Sequence, residues 1–364
     1  MALCEESLHT LAQLGHLVEV RPHNLGWTVK PKGIVGRIQL QEGAFNFNPK
    51  LPITNLCRMI AAVAQVPRLF ESSVVLGDGS LPDLLIATFV QQTEKLLLEG
   101  LRREYIERRE RLAVLRGRLD LPAHLRRPEA LVTDLSCRHV EYSLDTPFNA
   151  VLRQTAEVCQ TRWPPLRARM LHLRHRLAVL PKVRLRPEDI DCFSYSRLTE
   201  AYRPVHALCR QILQGTQLGL NTTNGTAGGS FIVEVAPLFE RFVSRSLQNR
   251  LGPPWRVKLQ ERVALDREHK VEIRPDIVVY HHKKPVAVLD AKYKLRRHGV
   301  PKNNSDVYQA LAYAQRYATK RVWLIFPDQP RGESILVSHD GNREVVSVGL
   351  DLGGDWTEVE RAFD

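Results

Sequence analysis

Asp276, Asp290 and Lys292 stand where a sheet core would place valine or leucine. The stretch IRPDIVVYHHKKPVAVLDAKYK, residues 273–294, reads as two apolar strands around a tight turn. Charge inside such strands is rare unless it is paired or used. With HHKKP, 281–285, as the turn, Tyr280 faces Val286, and counting back sets Asp276 opposite Asp290. Side chains alternate along a strand, so Asp290 and Lys292 share a face, and Asp276 joins them across the pair. A slip of one residue would separate them.

Two adjacent carboxylates repel and raise each other's pKa unless something neutralises them. A hard divalent cation does so, and oxygen ligands with water to spare suit Mg²⁺ or Mn²⁺. Such an ion polarises a phosphoryl oxygen and acidifies a water. Lys292 could orient that water, help deprotonate it, or stabilise the developing charge. This is the chemistry of metal-assisted phosphodiester hydrolysis. The plain alternative is a surface ion pair on an edge hairpin. Asp-x-Lys alone is common, but Pro-Asp followed by Asp-Ala-Lys after an apolar strand is far more specific.

Other residues join this set. Glu240, in PLFERFV, lies on a helix whose buried face is Leu238, Phe239, Phe242 and Val243, at an edge from which it could reach the metal. Its plain alternative is an exposed partner for Arg241 or Arg245. Downstream, SDVYQALAYAQRYA places Gln309 and Tyr313 at i and i+4 on one helical face, with Ser305 as an N-cap candidate. Both can hydrogen-bond a phosphate or a metal-bound water, or simply form the polar rim of helix-to-sheet packing. Lys294 and Arg274 flank the carboxylates and are candidates for positioning the phosphate.

The elements that must hold these residues are legible in outline. From 230 to 364, helix and strand alternate, which implies an α/β domain with a mixed sheet flanked by helices. Before it, residues 1–80 read as a mixed β/α domain, with short strands between 17 and 48 and a helix in LPITNLCRMIAAVA. Residues 81–229 read as an arginine-rich, mostly helical middle region in contact with a partner, with DNA, or with both. Within it, 82–114 reads as one long helix, its apolar stripe running from Leu84 through Phe89 and Leu101 to Tyr105. Its charged second half, RREYIERRERL, suits a solvated face with i,i+4 ion pairs better than a DNA contact. GTQLGLNTTNGTAGG, 215–229, reads as a loop or linker at a domain boundary.

Composition narrows the classes. A chain of 364 residues implies two or three domains. Its formal charge of +12 favours a polyanionic partner. The six cysteines form no CxxC pair, which suits reduced, mostly buried thiols in a cytoplasmic protein. Neither a signal peptide nor an apolar run of membrane-spanning length is found. No Gly-Lys-Ser/Thr occurs, so the chain has no P-loop of its own.

Together, Asp276, then Asp290-Ala291-Lys292, resemble the motif of the PD-(D/E)xK nuclease superfamily, and Gln309 and Tyr313 resemble the QxxxY element of its RecB-like branch. VAPLFERFVSRSL, IRPDIVV, LDAKYK and DVYQALAYA, in that order, resemble the McrC family, the nuclease subunit of McrBC-type restriction systems. GRIQLQEGAFNFNPKLPITNLCRMI, LRGRLDL and CRHVEYSLDTPFNAVLRQT resemble that family's earlier segments. The resemblance implies a Mg²⁺-dependent endonuclease cutting double-stranded DNA. In it Asp276 and Asp290 hold the metal, Glu240 is a further ligand or orienter, and Lys292 serves the water. It also implies a partner, a hexameric McrB-like AAA+ ring that hydrolyses GTP, or ATP in some relatives, and is stimulated by this chain. Reading of modified bases would then fall to the partner. Two other readings compete. A stand-alone RecB-like repair nuclease is opposed by the large region before residue 230, and a non-catalytic ring adaptor by the intact Asp276, Asp290 and Lys292.

Overall fold

The short apolar runs near the start of the chain form strands, as their Gly, Pro and Asn punctuation predicts. The computed structural model describes residues 3–24, 26–70, 80–126, 134–162, 167–220, 230–294, 304–327 and 334–363. Helix α1 (Glu5–Gln13) leads to β1 (Val18–His23), β2 (Gly26–Pro31), β3 (Ile34–Gln39), β4 (Ala44–Phe47) and α2 (Ile53–Val63). The middle comprises α3 (Leu81–Glu99), β5 (Glu104–Leu112), β6 (Arg118–Leu119), α4 (Leu121–Leu125), β7 (Leu135–Ser143), α5 (Pro147–Arg162), α6 (Arg167–Leu177), α7 (Pro187–Asp191) and α8 (Arg203–Leu220). Then come β8 (Phe231–Glu234), α9 (Val235–Arg250), β9 (Trp255–Leu259), β10 (Val263–Ala264), β11 (Glu272–Ile273), β12 (Ile277–His281) and β13 (Lys284–Ala291). The chain finishes with α10 (Asn304–Tyr317), β14 (Arg321–Phe326), β15 (Ser334–Val337), β16 (Glu344–Gly349) and α11 (Trp356–Arg361). No helix among the described residues is long and apolar enough to cross a membrane.

Met1–Leu84 and Leu218–Asp364 form one compact unit, and Leu85–Gln217 forms another. The three-part division drawn from the sequence separates 1–80 from 230–364, whereas these segments share a sheet. β8 pairs antiparallel with β3, Val233 opposite Val35 and Ile232 opposite Gly36, in the order β4-β3-β8. Gly36 permits this approach. It has φ +133°, and a Cβ there would lie 2.1 Å from the Phe231 carbonyl oxygen. α2 also packs against α9, the helix that follows β8.

Within Leu85–Gln217, the long helix expected over 82–114 stops at Glu99. Gly100, at φ +94°, ends it in a conformation that other residues resist. The charged run beyond is strand β5, paired with β7 so that Tyr105 faces Tyr142 and Arg109 faces Arg138. Ion pairs of β5 therefore cross to β7, Glu107 with Arg138 at 3.0 Å and Arg108 with Glu141 at 3.4 Å, alongside Arg109 with Glu107 within the strand. Leu85, Phe89 and Leu96 of the expected stripe are buried, but Tyr105 is 78% exposed. Of the remainder, α5, α6 and α8 are helical as predicted, whereas Arg118–Leu119 and Leu135–Ser143 are strands β6 and β7 and complete a three-stranded sheet with β5. α8 runs on to Leu220, so the break read at 215–229 begins later, and 221–229 lies outside the described residues. Four of the six cysteines, Cys57, Cys137, Cys159 and Cys209, are buried.

A six-stranded mixed sheet, in the order β15-β16-β14-β13-β12-β9, carries the predicted chemistry. β13 and β14 run parallel, as do β14 and β16, while β12 pairs antiparallel with β9 and β13. One face is sealed by α10: Val278, Val288, Val322, Leu324 and Phe326 meet Ala310, Tyr313, Ala314 and Tyr317 in one buried cluster. Each fully buried aliphatic side chain there contributes about 1.5–3 kcal/mol. Ile277 alternates to the opposite face, where α9 packs on β13 and β9 and buries Leu238, Phe239, Phe242 and Val243 as expected.

Candidate active site

The hairpin β12–β13 sets the distance between the carboxylates, and it does so by a route the sequence did not reveal. Its turn is His282-Lys283, with His282 at φ +55°, rather than 281–285. His281 faces Lys284 and Tyr280 faces Pro285, not Val286. Counting straight on from that turn would set Leu289 against Asp276. A bulge between Val279 and Tyr280 leaves Val286 without a partner and restores Val279 to Ala287 and Ile277 to Leu289. Asp276, one residue before β12, then falls opposite Asp290.

Pro275 explains why the strand starts where it does. It has no N–H for a ladder and restrains Arg274 to an extended shape. The backbone of Asp276 is held by the Gln260 N–H, which donates to its carbonyl at 2.9 Å. Its side chain is fixed across the hairpin, where the Ala291 N–H donates to Oδ2 at 2.8 Å. Asp290 sits near the C-terminal end of β13, opposite Leu324 of β14. Open α/β sheets commonly place their ligand sites at such carboxyl ends. Lys292 follows, its N–H donating to the Ile325 carbonyl at 2.8 Å.

Burial and mutual repulsion dominate the electrostatics. Asp276 is pushed up to about 7, first by burial, then by the charges of Asp290 and Glu240. Asp290, only 2% exposed, is also raised by burial, opposed chiefly by Lys292. The Lys292 ammonium forms an ion pair with Asp290 Oδ2, yet that oxygen receives no well-aligned hydrogen bond. Two hard carboxylate ligands raised by burial, with Asp290 Oδ2 short of donors, fit a hard divalent cation. Among the described residues no three His, Cys, Asp or Glu side chains gather to hold a metal. Water and a substrate phosphate would complete such a coordination sphere.

Helix α10 reaches the same face. Lys292 Nζ donates to Gln309 Oε1 at 2.9 Å, and Gln309 Nε2 donates to the Tyr313 hydroxyl at 2.7 Å. Tyr313 in turn donates to the Arg274 carbonyl at 3.2 Å. Its hydroxyl is held in the protonated form by burial and by the charges of Asp290 and Asp276. Gln309 and Tyr313 thus fix Lys292 and the start of β12. Ser305, the expected N-cap, lies inside the first turn, since α10 begins at Asn304.

The remaining candidates stand at the margin. Glu240 Oε1 accepts from Gln260 Nε2, rather than from Arg241 or Arg245, while its charge still acts on Asp276. The Arg274 guanidinium donates to Gln260 Oε1. Lys294 donates to both oxygens of Asp306, at 2.8 and 2.9 Å. Gln260 and Asp306 escaped the sequence reading. Gln260 sits in a connector at φ +48°, a conformation no sequence pattern announces. Asp306 did leave a signal: with Gln309 and Tyr313 it makes an i, i+3, i+7 stripe on α10.

Three comparisons bear on this geometry. The model of the family described as McrBC 5-methylcytosine restriction system component matches residues 29–327. No curated protein matches the chain. Among solved structures, one similar chain belongs to the refined half-complex from a tetradecameric assembly of Thermococcus gammatolerans McrB AAA+ hexamers with bound McrC. It aligns with a TM-score of 0.61 and 21% identity, over 97% of this chain and 86% of that one, which shows a shared fold. Another, from the cryo-EM structure of the Thermococcus gammatolerans McrBC complex, aligns with a TM-score of 0.43 and 22% identity, over 65% and 70% of the two chains.

Proposed function

The chain belongs to the McrBC 5-methylcytosine restriction system component family, and from that premise we propose that it is an McrC-like nuclease subunit cutting double-stranded DNA beside an McrB-like AAA+ partner. The observation that carries the reading is the opposition of Asp276 and Asp290 across one hairpin, with Lys292 ion-paired to Asp290.

Asp276 and Asp290 would hold Mg²⁺, or Mn²⁺ in its place. Bound there, the ion polarises a phosphoryl oxygen and acidifies a water. The chain's own residues do the rest. Lys292, held between Asp290 and Gln309, places one ammonium beside the carboxylates, where it orients the attacking water or offsets charge building on the phosphate. Tyr313 and Gln309 keep that ammonium from swinging away. Glu240 adds negative charge near Asp276, and Gln260 fixes its direction. Arg274 and Lys294 are cations at the edge, able to meet phosphates once released from Gln260 and Asp306.

The partner follows from the family and from the fold shared with a McrB–McrC assembly. No Gly-Lys-Ser/Thr phosphate loop occurs in this chain, so the nucleotide hydrolysis of such a system falls to the ring. The test is plasmid cleavage by the purified chain, with and without an McrB-like AAA+ protein from the same source. Cutting that needs both proteins, GTP and Mg²⁺, and prefers methylated plasmid, supports the proposal. Equal cutting without the partner would favour a stand-alone nuclease, and no cutting under any condition would favour an adaptor.

A further inference from the structure

Asp306 lies in the first turn of α10, where acidic residues usually sit exposed against the helix dipole. Here the side chain is only 5% exposed, and both oxygens accept from Lys294 Nζ, at 2.8 and 2.9 Å. Lys294 is two residues beyond Lys292, and its own side chain is 46% exposed. The helix therefore grips the end of β13 and its continuation through one stripe. Asp306 takes the Lys294 ammonium, Gln309 takes the Lys292 ammonium, and Tyr313 takes the Arg274 carbonyl.

Two ammonium groups thus act on the buried Asp290. Lys292 already contacts Asp290. The charges of Asp306 and Lys294 also act on Asp290, in opposite directions. A second ammonium settling on Asp290 or Asp276 would occupy the oxygens that a divalent cation needs. We infer that Asp306 is a positioning residue whose task is to hold the Lys294 ammonium off the carboxylate pair, leaving Asp276 and Asp290 open to a metal ion. This rests on the metal-dependent reading of the site proposed above.

The test is calorimetric titration of the full-length chain with Ca²⁺, which binds such sites without requiring cleavage. Asp306→Asn releases Lys294 and weakens Ca²⁺ binding by about tenfold or more, the scale on which groups behind the ligands affect metal affinity. Asp306→Asn combined with Lys294→Met removes the competing ammonium and returns affinity to within about threefold of wild type. Lys294→Met alone binds Ca²⁺ at least as tightly as wild type, and this variant keeps the test decisive should Asp306→Asn fail to fold. A clamp with a purely structural role makes a different prediction, since the double variant would then bind as weakly as Asp306→Asn. That result, or weakened binding by Lys294→Met, overturns the inference and leaves the nuclease reading standing. A wild-type chain that binds neither Ca²⁺ nor Mg²⁺ overturns the metal reading itself, and this inference with it.

Discussion

Asp276 lies opposite Asp290 because a bulge between Val279 and Tyr280 leaves Val286 unpaired. Apolar packing fixes the strands at one end, where Val278 faces Val288 under α10. A two-residue turn fixes them at the other, where His281 faces Lys284. The two registers differ by one residue, and the bulge absorbs the difference. The cost of opposing two buried acids is then met by Lys292, by the Ala291 N–H, and by a cation when one is bound.

That cost is measurable as pH-dependent stability. The Asp276 carboxyl is pushed up to about 7 in the folded chain, far above its ordinary range near 4. In that interval the folded state binds the extra proton, so Asp276 takes nothing from stability below pH 4 and takes most above pH 7. Asp276→Asn keeps an acceptor for Ala291 and removes the charge. Denaturant titration with a chelator present should find the variant more stable than wild type at pH 8, on the order of 2 kcal/mol, and indistinguishable at pH 4. An equal gain at both pH values would contradict the buried acid pair.

Lys292 has two separable roles. Lys292→Met strips Asp290 of its ion pair and should lower the cleavage rate by about 10²-fold or more, in the range for losing a group that stabilises reaction charge. DNA affinity measured in Ca²⁺ should change by less than about threefold, since one phosphate contact carries little of it. A variant that cuts at the wild-type rate would remove Lys292 from the chemistry.

Much of this site could be read from the sequence, for physical reasons that differ residue by residue. Asp276, Asp290 and Lys292 interrupt apolar strands, and period-two alternation places Asp290 and Lys292 on one face in any register, whereas Asp276 joins them only because the bulge restores its register. The turn itself was misread, because two consecutive histidines and two lysines give no positive-φ signal. Gln309 and Tyr313 are legible from helical spacing; Asp306 shares their stripe, but an acid in a first turn is ordinary. Only burial and Lys294 show otherwise. The run after Gly100 was read as helix because Glu and Arg favour helices. The cross-strand partners that make it β5, among them Arg138 and Glu141, lie some thirty residues on. The shared sheet of β3 and β8 joins residues nearly two hundred positions apart, beyond any local pattern.

The joining of the first and last segments has its own test at Gly36. A methyl there would meet the Phe231 carbonyl oxygen on a backbone that L-residues resist. Gly36→Ala should therefore destabilise the unit containing the carboxylates by about 2–3 kcal/mol or more, read as a lower urea midpoint. Hydrogen exchange should show lost protection at Phe231–Glu234 as well as in Ile34–Gln39. Loss confined to the first segment would mean that the two fold independently.

The most direct measurement is a comparison of wild type with Asp290→Ala, each mixed with the AAA+ partner, GTP, Mg²⁺ and methylated plasmid. Cleavage and GTP hydrolysis are followed in the same tube. Removing Asp290 should abolish cleavage while leaving stimulation of the partner's hydrolysis within about twofold of wild type, since the residue is buried away from any partner surface. Cleavage by Asp290→Ala at the wild-type rate would contradict the assignment of the opposed carboxylates as the cutting site.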